Sequence, residues 1–415
     1  MHLIAGLTAG SSIAIMCFTG VALSFESDLV AWAERNARRV TPPAPDAVRQ
    51  PLQDLLKKVR EAQPDVRPAG IVLSADPKAA VAFTLGRDGA VYANPYTGEI
   101  RSPASTRMRD FMRTMTDWHR YLAVGGDNRP IGKAINGACN LVFLVLAISG
   151  LYLWLPRSWS WRGVKAVVLF NWRLTGKPRD FNWHNVIGLW CAPIFIGLTL
   201  TAVPIAYRWG GNLIYQLAGE EPPVLQGPGQ AAETAVEIKR PNPDSRPLSY
   251  DALVVVAQQQ VPRWETITLR LGNAQRGGAR GQNASRPAAD NPGAMPAPRE
   301  ASPSTDQPRR ESRSGPPPVT VAIKEPGSWP RTATTTLTLN PFTGELLKRE
   351  GFADLSTGRR IRTWTRFLHT GEALGRPGQF IAGLACLGGC FLVYTGFALS
   401  WRRFFGKRPK AVSAA

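Results

Sequence analysis

The chain has 415 residues, 44% of them hydrophobic, with five cysteines and a formal net charge of +20 at pH 7. All five cysteines (Cys17, Cys139, Cys191, Cys386 and Cys390) lie in apolar stretches, which excludes a disulfide framework in the polar remainder. The positive charge gathers beside those same stretches, which argues against nucleic-acid binding.

In chain order, residues 1–25 are apolar and nearly uncharged over the roughly 20 residues that cross a ~30 Å hydrocarbon layer. They lack a charged n-region and a small-residue cleavage site, so they read as a retained first span rather than a removable signal. Residues 26–132 are polar. Within them Leu52, Leu55, Leu56 and Val59 recur at helical spacing, and alternation at 70–74, 80–85 and 90–93 predicts strands. Asn94-Pro95-Tyr96-Thr97-Gly98-Glu99 reads as a tight turn, Pro presetting φ and Gly permitting a positive φ.

A second span is predicted over 133–155, followed by a basic loop at 156–183. That loop sets Arg157, Arg162, Lys165, Arg173, Lys177 and Arg179 against Asp180. A third span covers 184–207, and a second polar module covers 208–376. In that module Leu253, Val256 and Ala257 mark a helix, Thr266-Ile267-Thr268-Leu269 begins the strands, and Asn340-Pro341-Phe342-Thr343-Gly344-Glu345 repeats the turn. An insertion at 273–318, dominated by Gly, Pro, Ser, Ala, Asn and Arg, is expected to be disordered. The fourth span is predicted over 377–401, and the tail 402–415 carries Arg402, Arg403, Lys407, Arg408 and Lys410. Lys and Arg beside spans mark the cytoplasmic side, so both termini are expected inside and both modules outside.

The chain repeats itself. His2 precedes Thr19-Gly20 by the interval that separates His184 from Thr201-Ala202. Arg113-Thr114-Met115-Thr116 leads to His119, as Arg362-Thr363-Trp364-Thr365 leads to His369. The second and fourth spans end through Ser149-Gly150 to Trp154 and Thr395-Gly396 to Trp401. The expected fold is therefore an α-helical membrane protein: a four-helix bundle of two parallel repeats, each with an external α+β module, related by an axis along the membrane normal.

The four histidines are all that the chain has, one at the mouth of each apolar segment. Ionisable groups at membrane depth read as functional, and imidazole is a common haem-iron ligand. Symmetry pairs His2 with His184 at the inner face and His119 with His369 at the outer face. A lone interfacial histidine would ordinarily cap a helix or touch head groups; four placed by symmetry favour ligation. Zinc or copper held by one pair plus Asp117 or Glu372 is the rival, although no carboxylate adjoins the inner pair. Gly6, Gly10, Gly137, Gly188, Gly383 and Gly388 could admit a macrocycle or simply let helices pack. Arg113, Arg120, Arg362, Arg366 and Arg376 could meet haem propionates or lipid phosphates. Trp118 and Trp183, each preceding a histidine, could shield haem edges or sit in an interfacial belt.

On the two Asn-Pro-aromatic-Thr-Gly-Glu turns, the Ser/Thr-Gly segments and the flanking histidines, the chain resembles the PepSY-associated transmembrane proteins. These are bacterial inner-membrane proteins that include iron-regulated proteins and siderophore–iron reductases. The resemblance covers nearly the whole chain outside the insertion. It implies a four-helix membrane core, periplasmic PepSY modules and, in reductase members, b-type haem. The chain departs from the family where Leu3 and Asn185, rather than arginine, follow His2 and His184; only His119 keeps its arginine, Arg120. No Gly-rich dinucleotide fingerprint is found, so direct reduction by NADPH is not expected.

The resemblance implies two haems b carrying electrons from a quinol or a cytosolic flavoprotein to a periplasmic ferric siderophore or other ferric chelate. Reduction would loosen the iron, because ferrous iron is the softer ion and leaves oxygen chelators, and nearby basic residues would attract an anionic complex. The alternative is a non-enzymatic membrane protein whose modules bind a peptide, a protease or an envelope partner.

Overall fold

Four helices of the computed structural model are long and apolar enough to cross a membrane. The structure describes residues 2–86, 89–155, 160–223, 238, 240–242, 244–271 and 317–405. The predicted insertion, except its last two residues, lies outside the described residues, as do Arg157 and the tail beyond Phe405.

The first spanning helix, α1 (His2–Leu23), is followed by the short helices α2 (Glu26–Ala33) and α3 (Arg35–Arg38), then by α4 (Leu52–Ala62). Strands β1 (Gly70–Ser74), β2 (Val81–Thr84), β3 (Ala90–Ala93) and β4 (Ile100–Arg101) come next, and then α5 (Arg107–Tyr121). The second span is α6 (Arg129–Trp154); α7 (Trp161–Val168) lies in the loop before the third span, α8 (Gly176–Ala206). Helices α9 (Arg208–Leu217) and α10 (Tyr250–Gln260) lead to β5 (Thr266–Arg270), β6 (Val319–Lys324), β7 (Thr335–Leu339) and β8 (Leu346–Glu350). Helix α11 (Thr357–His369) precedes the last span, α12 (Gly375–Phe404).

The apolar windows locate the spans, but the helices outrun them. Helix α8 starts at Gly176, so His184 lies two turns inside it rather than at its mouth. Its polar first turns are tolerated because Asp180 and Asn182 are buried among partners: Arg179 and Arg402 reach Asp180, and Asn182 binds Asn171 N, Ala166 O and Leu169 O. Conversely α5 and α6 are separate helices, split where Leu122 and Ala123 take left-handed backbone.

The two polar modules do not form two sheets. Their strands join one antiparallel sheet in the order β4-β3-β2-β1-β5-β6-β7-β8. The join is β1 with β5, from Gly70 opposite Arg270 to Ser74 opposite Thr266. Pairing removes the open edge each module would otherwise expose. Helices α4 and α10 bury Leu55, Val59, Leu253 and Ala257 against one face, over Ile71, Phe83, Ile267, Leu269, Val321 and Leu337. The Asp251 carboxylate of α10 accepts from Leu52 N of α4 at 3.0 and 3.2 Å, capping one module's helix from the other.

Both predicted turns form alike. Gly98 and Gly344 have φ of +74° and +71°, and each donates its N–H to the carbonyl of Asn94 or Asn340 at 2.9 Å. The asparagine side chain accepts from the aromatic N–H, Tyr96 at 3.0 Å and Phe342 at 2.9 Å.

Candidate functional site

The sheet-side pair comes first. His119 lies near the end of α5 and His369 ends α11. Their ring centroids are 6.3 Å apart, with the planes inclined at 56°. A metal bound at about 2 Å from a nitrogen of each ring spaces the centroids by about 6 Å. Burial, reinforced by the neighbouring His369, pushes the His119 imidazole down to about 4, and burial also lowers His369. Both rings are therefore neutral at physiological pH, the state a metal requires.

Every histidine is held through Nδ1 by a residue of another helix. His119 Nδ1 lies 2.9 Å from Thr19 Oγ1, and His2 Nδ1 lies 2.9 Å from Ser149 Oγ. His184 Nδ1 lies 2.9 Å from Thr395 Oγ1. His369 Nδ1 lies 2.9 Å from Leu198 O and 3.4 Å from Thr201 Oγ1. The Met16 carbonyl also bonds the His119 ring, and the Leu392 carbonyl the His184 ring.

At the opposite end His2 and His184 line one cavity of about 520 Å³. Its walls run from His2 to Ile13 on α1, Phe143 to Trp154 on α6, Phe181 to Phe195 on α8 and Gly389 to Ser400 on α12. Eleven or so residues of helix make it roughly 16 Å deep. Phe143 and Phe195, centroids 4.9 Å apart, lie at its inner end. Gly6, Gly10, Gly150, Gly188, Gly389 and Gly396 lie in the walls, and a Cβ at Gly6 would meet nothing within 4 Å. No charged residue occurs among the lining residues; the nearest charged sequence neighbours, Arg179, Asp180 and Arg402, form an ion cluster at the mouth. An apolar, glycine-rich slot with two imidazoles in its walls has the composition that a haem b macrocycle would need.

Carboxylates anchor the helices that carry the sheet-side pair. Glu34, 3% exposed, accepts from Arg109 of α5, from Tyr92 Oη of β3 at 2.8 Å and from Arg38 at 2.8 and 3.1 Å. Glu220 accepts from Gly358 N at 3.0 Å and Ser356 Oγ at 2.7 Å at the start of α11, where the helix dipole favours an anion. Asn136 of α6 donates to His119 O at 2.8 Å.

The other expected site residues divide. Gly6, Gly10 and Gly188 line the cavity of His2 and His184, and Gly10 is a packing position too, since a Cβ there would stand 2.8 Å from Phe397 Cε2. Gly137, Gly383 and Gly388 are packing positions: a Cβ there would meet Tyr207 Oη at 2.7 Å, Phe25 Cε2 at 3.0 Å and Cys191 Sγ at 2.7 Å. Arg113 lies 3.6 Å from Asp110, Arg376 lies 3.3 Å from Asp28, and Arg120 and Arg366 cover the adjacent Tyr121 and Phe367 rings. The Arg362 guanidinium approaches Gly211 of α9. Trp183 packs with Phe170 and Trp172 in the loop cluster, and Trp118 is exposed. Asp117 pairs with Arg129 at 2.7 Å and Glu372 accepts from Thr370, and no three metal-binding side chains gather among the described residues. The Nδ1 partners were not foreseen as such, although Thr19, Ser149, Thr395 and Thr201 all stand in the repeated segments.

Among models of known families, the one described as the PepSY-associated TM region matches residues 1–403. No curated protein matches.

Proposed function

The chain belongs to the PepSY-associated TM region family, and on that premise we propose that it is a haem b-containing inner-membrane oxidoreductase passing electrons outward to a periplasmic ferric substrate, a ferric siderophore or similar chelate. One observation carries the reading. Two histidine pairs stand at opposite ends of one bundle, each ring committed through Nδ1. From His184 to Thr201 along α8 is roughly 25 Å at ~1.5 Å per residue, close to the ~30 Å hydrocarbon layer.

Haem, when bound, supplies reversible one-electron chemistry at iron, tuned by its ligands and surroundings. The protein's part is to hold His2 opposite His184 and His119 opposite His369, and to keep water from the inner slot with apolar walls. Arg113, Arg120, Arg362 and Arg366 on α5 and α11 would supply positive charge for propionates and for an anionic ferric complex. The two halves act as parallel repeats, with the sheet in the periplasm, the basic loop and both termini in the cytoplasm, and a quinol or cytosolic flavoprotein feeding the inner pair.

Protein purified from haem-replete cells should show a low-spin b-type spectrum and a pyridine haemochrome count of two per chain. His369→Ala and His119→Ala should each remove one haem and leave the other reducible. A colourless wild-type protein overturns the reading. Removing the sheet and its two covering helices while keeping the spans separates it from a peptide- or partner-binding role: the reductase keeps reducible haem, and a binder loses its function.

A further inference from the structure

We infer that the hydroxyls of Thr19, Ser149 and Thr395, with the Leu198 carbonyl at the fourth place, are positioning groups that lock the imidazoles as Nδ1–H tautomers, so that each Nε2 presents a lone pair to iron. This rests on the haem reading for its purpose but not for its geometry. A Ser or Thr in a membrane helix ordinarily bonds back to its own helix and does nothing else. Here the back-bond has a consequence. Thr19 Oγ1 donates to Ile15 O at 2.6 Å, Thr395 Oγ1 to Phe391 O at 2.8 Å, Thr201 Oγ1 to Gly197 O at 2.6 Å and Ser149 Oγ to Leu146 O at 3.4 Å. A hydroxyl has one proton. Once that proton points at a carbonyl, the oxygen can only accept from the imidazole, and Nδ1 must be the donor. A neutral imidazole has one N–H, which leaves Nε2 bare. An outer partner of this kind also fixes ring orientation and raises ligand basicity.

The residue after the hydroxyl completes the fit. A Cβ at Gly20, Gly150 or Gly396 would stand 3.7, 3.6 and 3.6 Å from Cε1 of His119, His2 and His184. These are ordinary contact distances, so each ring edge lies against the partner helix at this position, while at Gly20 a Cβ would first meet Cys386 Sγ at 2.8 Å. The fourth place has Ala202 instead. There His369 Nδ1 turns to Leu198 O, and Thr201 Oγ1 falls back to 3.4 Å. Thr201 should therefore matter least.

With four histidines in the chain, ¹⁵N-histidine NMR of the full-length protein from haem-deficient cells can resolve each ring. Wild-type protein should show Nδ1–H tautomers throughout. Thr19→Val should leave the His119 ring only the Met16 carbonyl and Thr395→Val should leave the His184 ring only the Leu392 carbonyl, shifting both toward Nε2–H, and Ser149→Ala should release His2. Thr201→Val should leave His369 unchanged, and Thr19→Ser should restore His119. In haem-loaded protein, Thr19→Val and Thr395→Val should speed haem loss to excess apomyoglobin about tenfold or more. A tenfold change in the preference for ferric over ferrous iron would read as about 59 mV in one midpoint potential. Thr201→Val should stay within about twofold of wild type, far below that change. Nε2–H tautomers in the wild type, or Thr19→Val and Thr395→Val matching it in tautomer and haem retention, would overturn the inference. A colourless protein with the expected tautomers would overturn the haem reading alone.

Discussion

Arg109 and Arg38 both reach Glu34, and Arg109 shares α5 with His119. Burial alone would raise the Glu34 carboxyl, but hydrogen bonds from Arg109, Tyr92 and Arg38 outweigh it and hold it below its ordinary value. Burial, with the Glu34 carboxylate adding to it, pushes Tyr92 up to about 12, so the phenol stays a donor. A depressed carboxyl stabilises the fold in full above its unfolded-state value, and the contribution is lost as pH falls through the folded value. Glu34→Ala should cost about 2–3 kcal/mol by denaturant unfolding, because it removes a buried carboxylate and leaves the half-buried Arg38 and Arg109 without their partner. Glu34→Gln should flatten the decline of stability below the carboxylate range; an unchanged acid limb would mean the clamp contributes nothing. Position Gly6 makes the opposite case, since it faces space. Gly6→Phe should leave the protein folded and fill the inner slot, lowering the haemochrome count by one while the outer haem remains.

The turns joining β3 to β4 and β7 to β8 tie sequence to structure most directly, since their glycines take positive φ. Gly344→Ala imposes left-handed strain and brings a Cβ within 3.2 Å of Leu248 and Val256; it should cost about 1–2 kcal/mol in denaturant unfolding. Such local elements were legible in advance. The alternation at 70–74 and the Leu52-to-Val59 stripe are β1 and α4, and the apolar windows are the spans. What escaped depends on contacts remote in the chain. The polar start of α8 is helical because Asp180 meets Arg402 at the far end of α12. The hold on His119 comes from Thr19, a hundred residues away. Of six glycines read as either slot or packing, Gly137, Gly383 and Gly388 pack, as Gly10 does against Phe397, because the residues they meet come from segments that no local pattern brings together.

At the scale of the molecule, the join of β1 to β5 makes the strands of both modules one sheet. Thr268 lies mid-strand between Val72 and Ala322, and proline there removes ladder bonding from a central strand. Thr268→Pro should expose β1–β4 and β6–β8 to hydrogen exchange together; loss confined to the β5–β8 half would show two independent modules. The same seam constrains how the chain is made. On the proposed topology the amino-terminal half reaches the far side of the membrane while β5 is still untranslated, so β1 would wait there with a bare backbone edge, an invitation to wrong pairing. Helix α4 likewise lacks its cap until Asp251 arrives. Assembly must therefore hold the early strands apart from their neighbours until the third helix has been threaded and the later strands delivered, which makes that interval the vulnerable step of biogenesis.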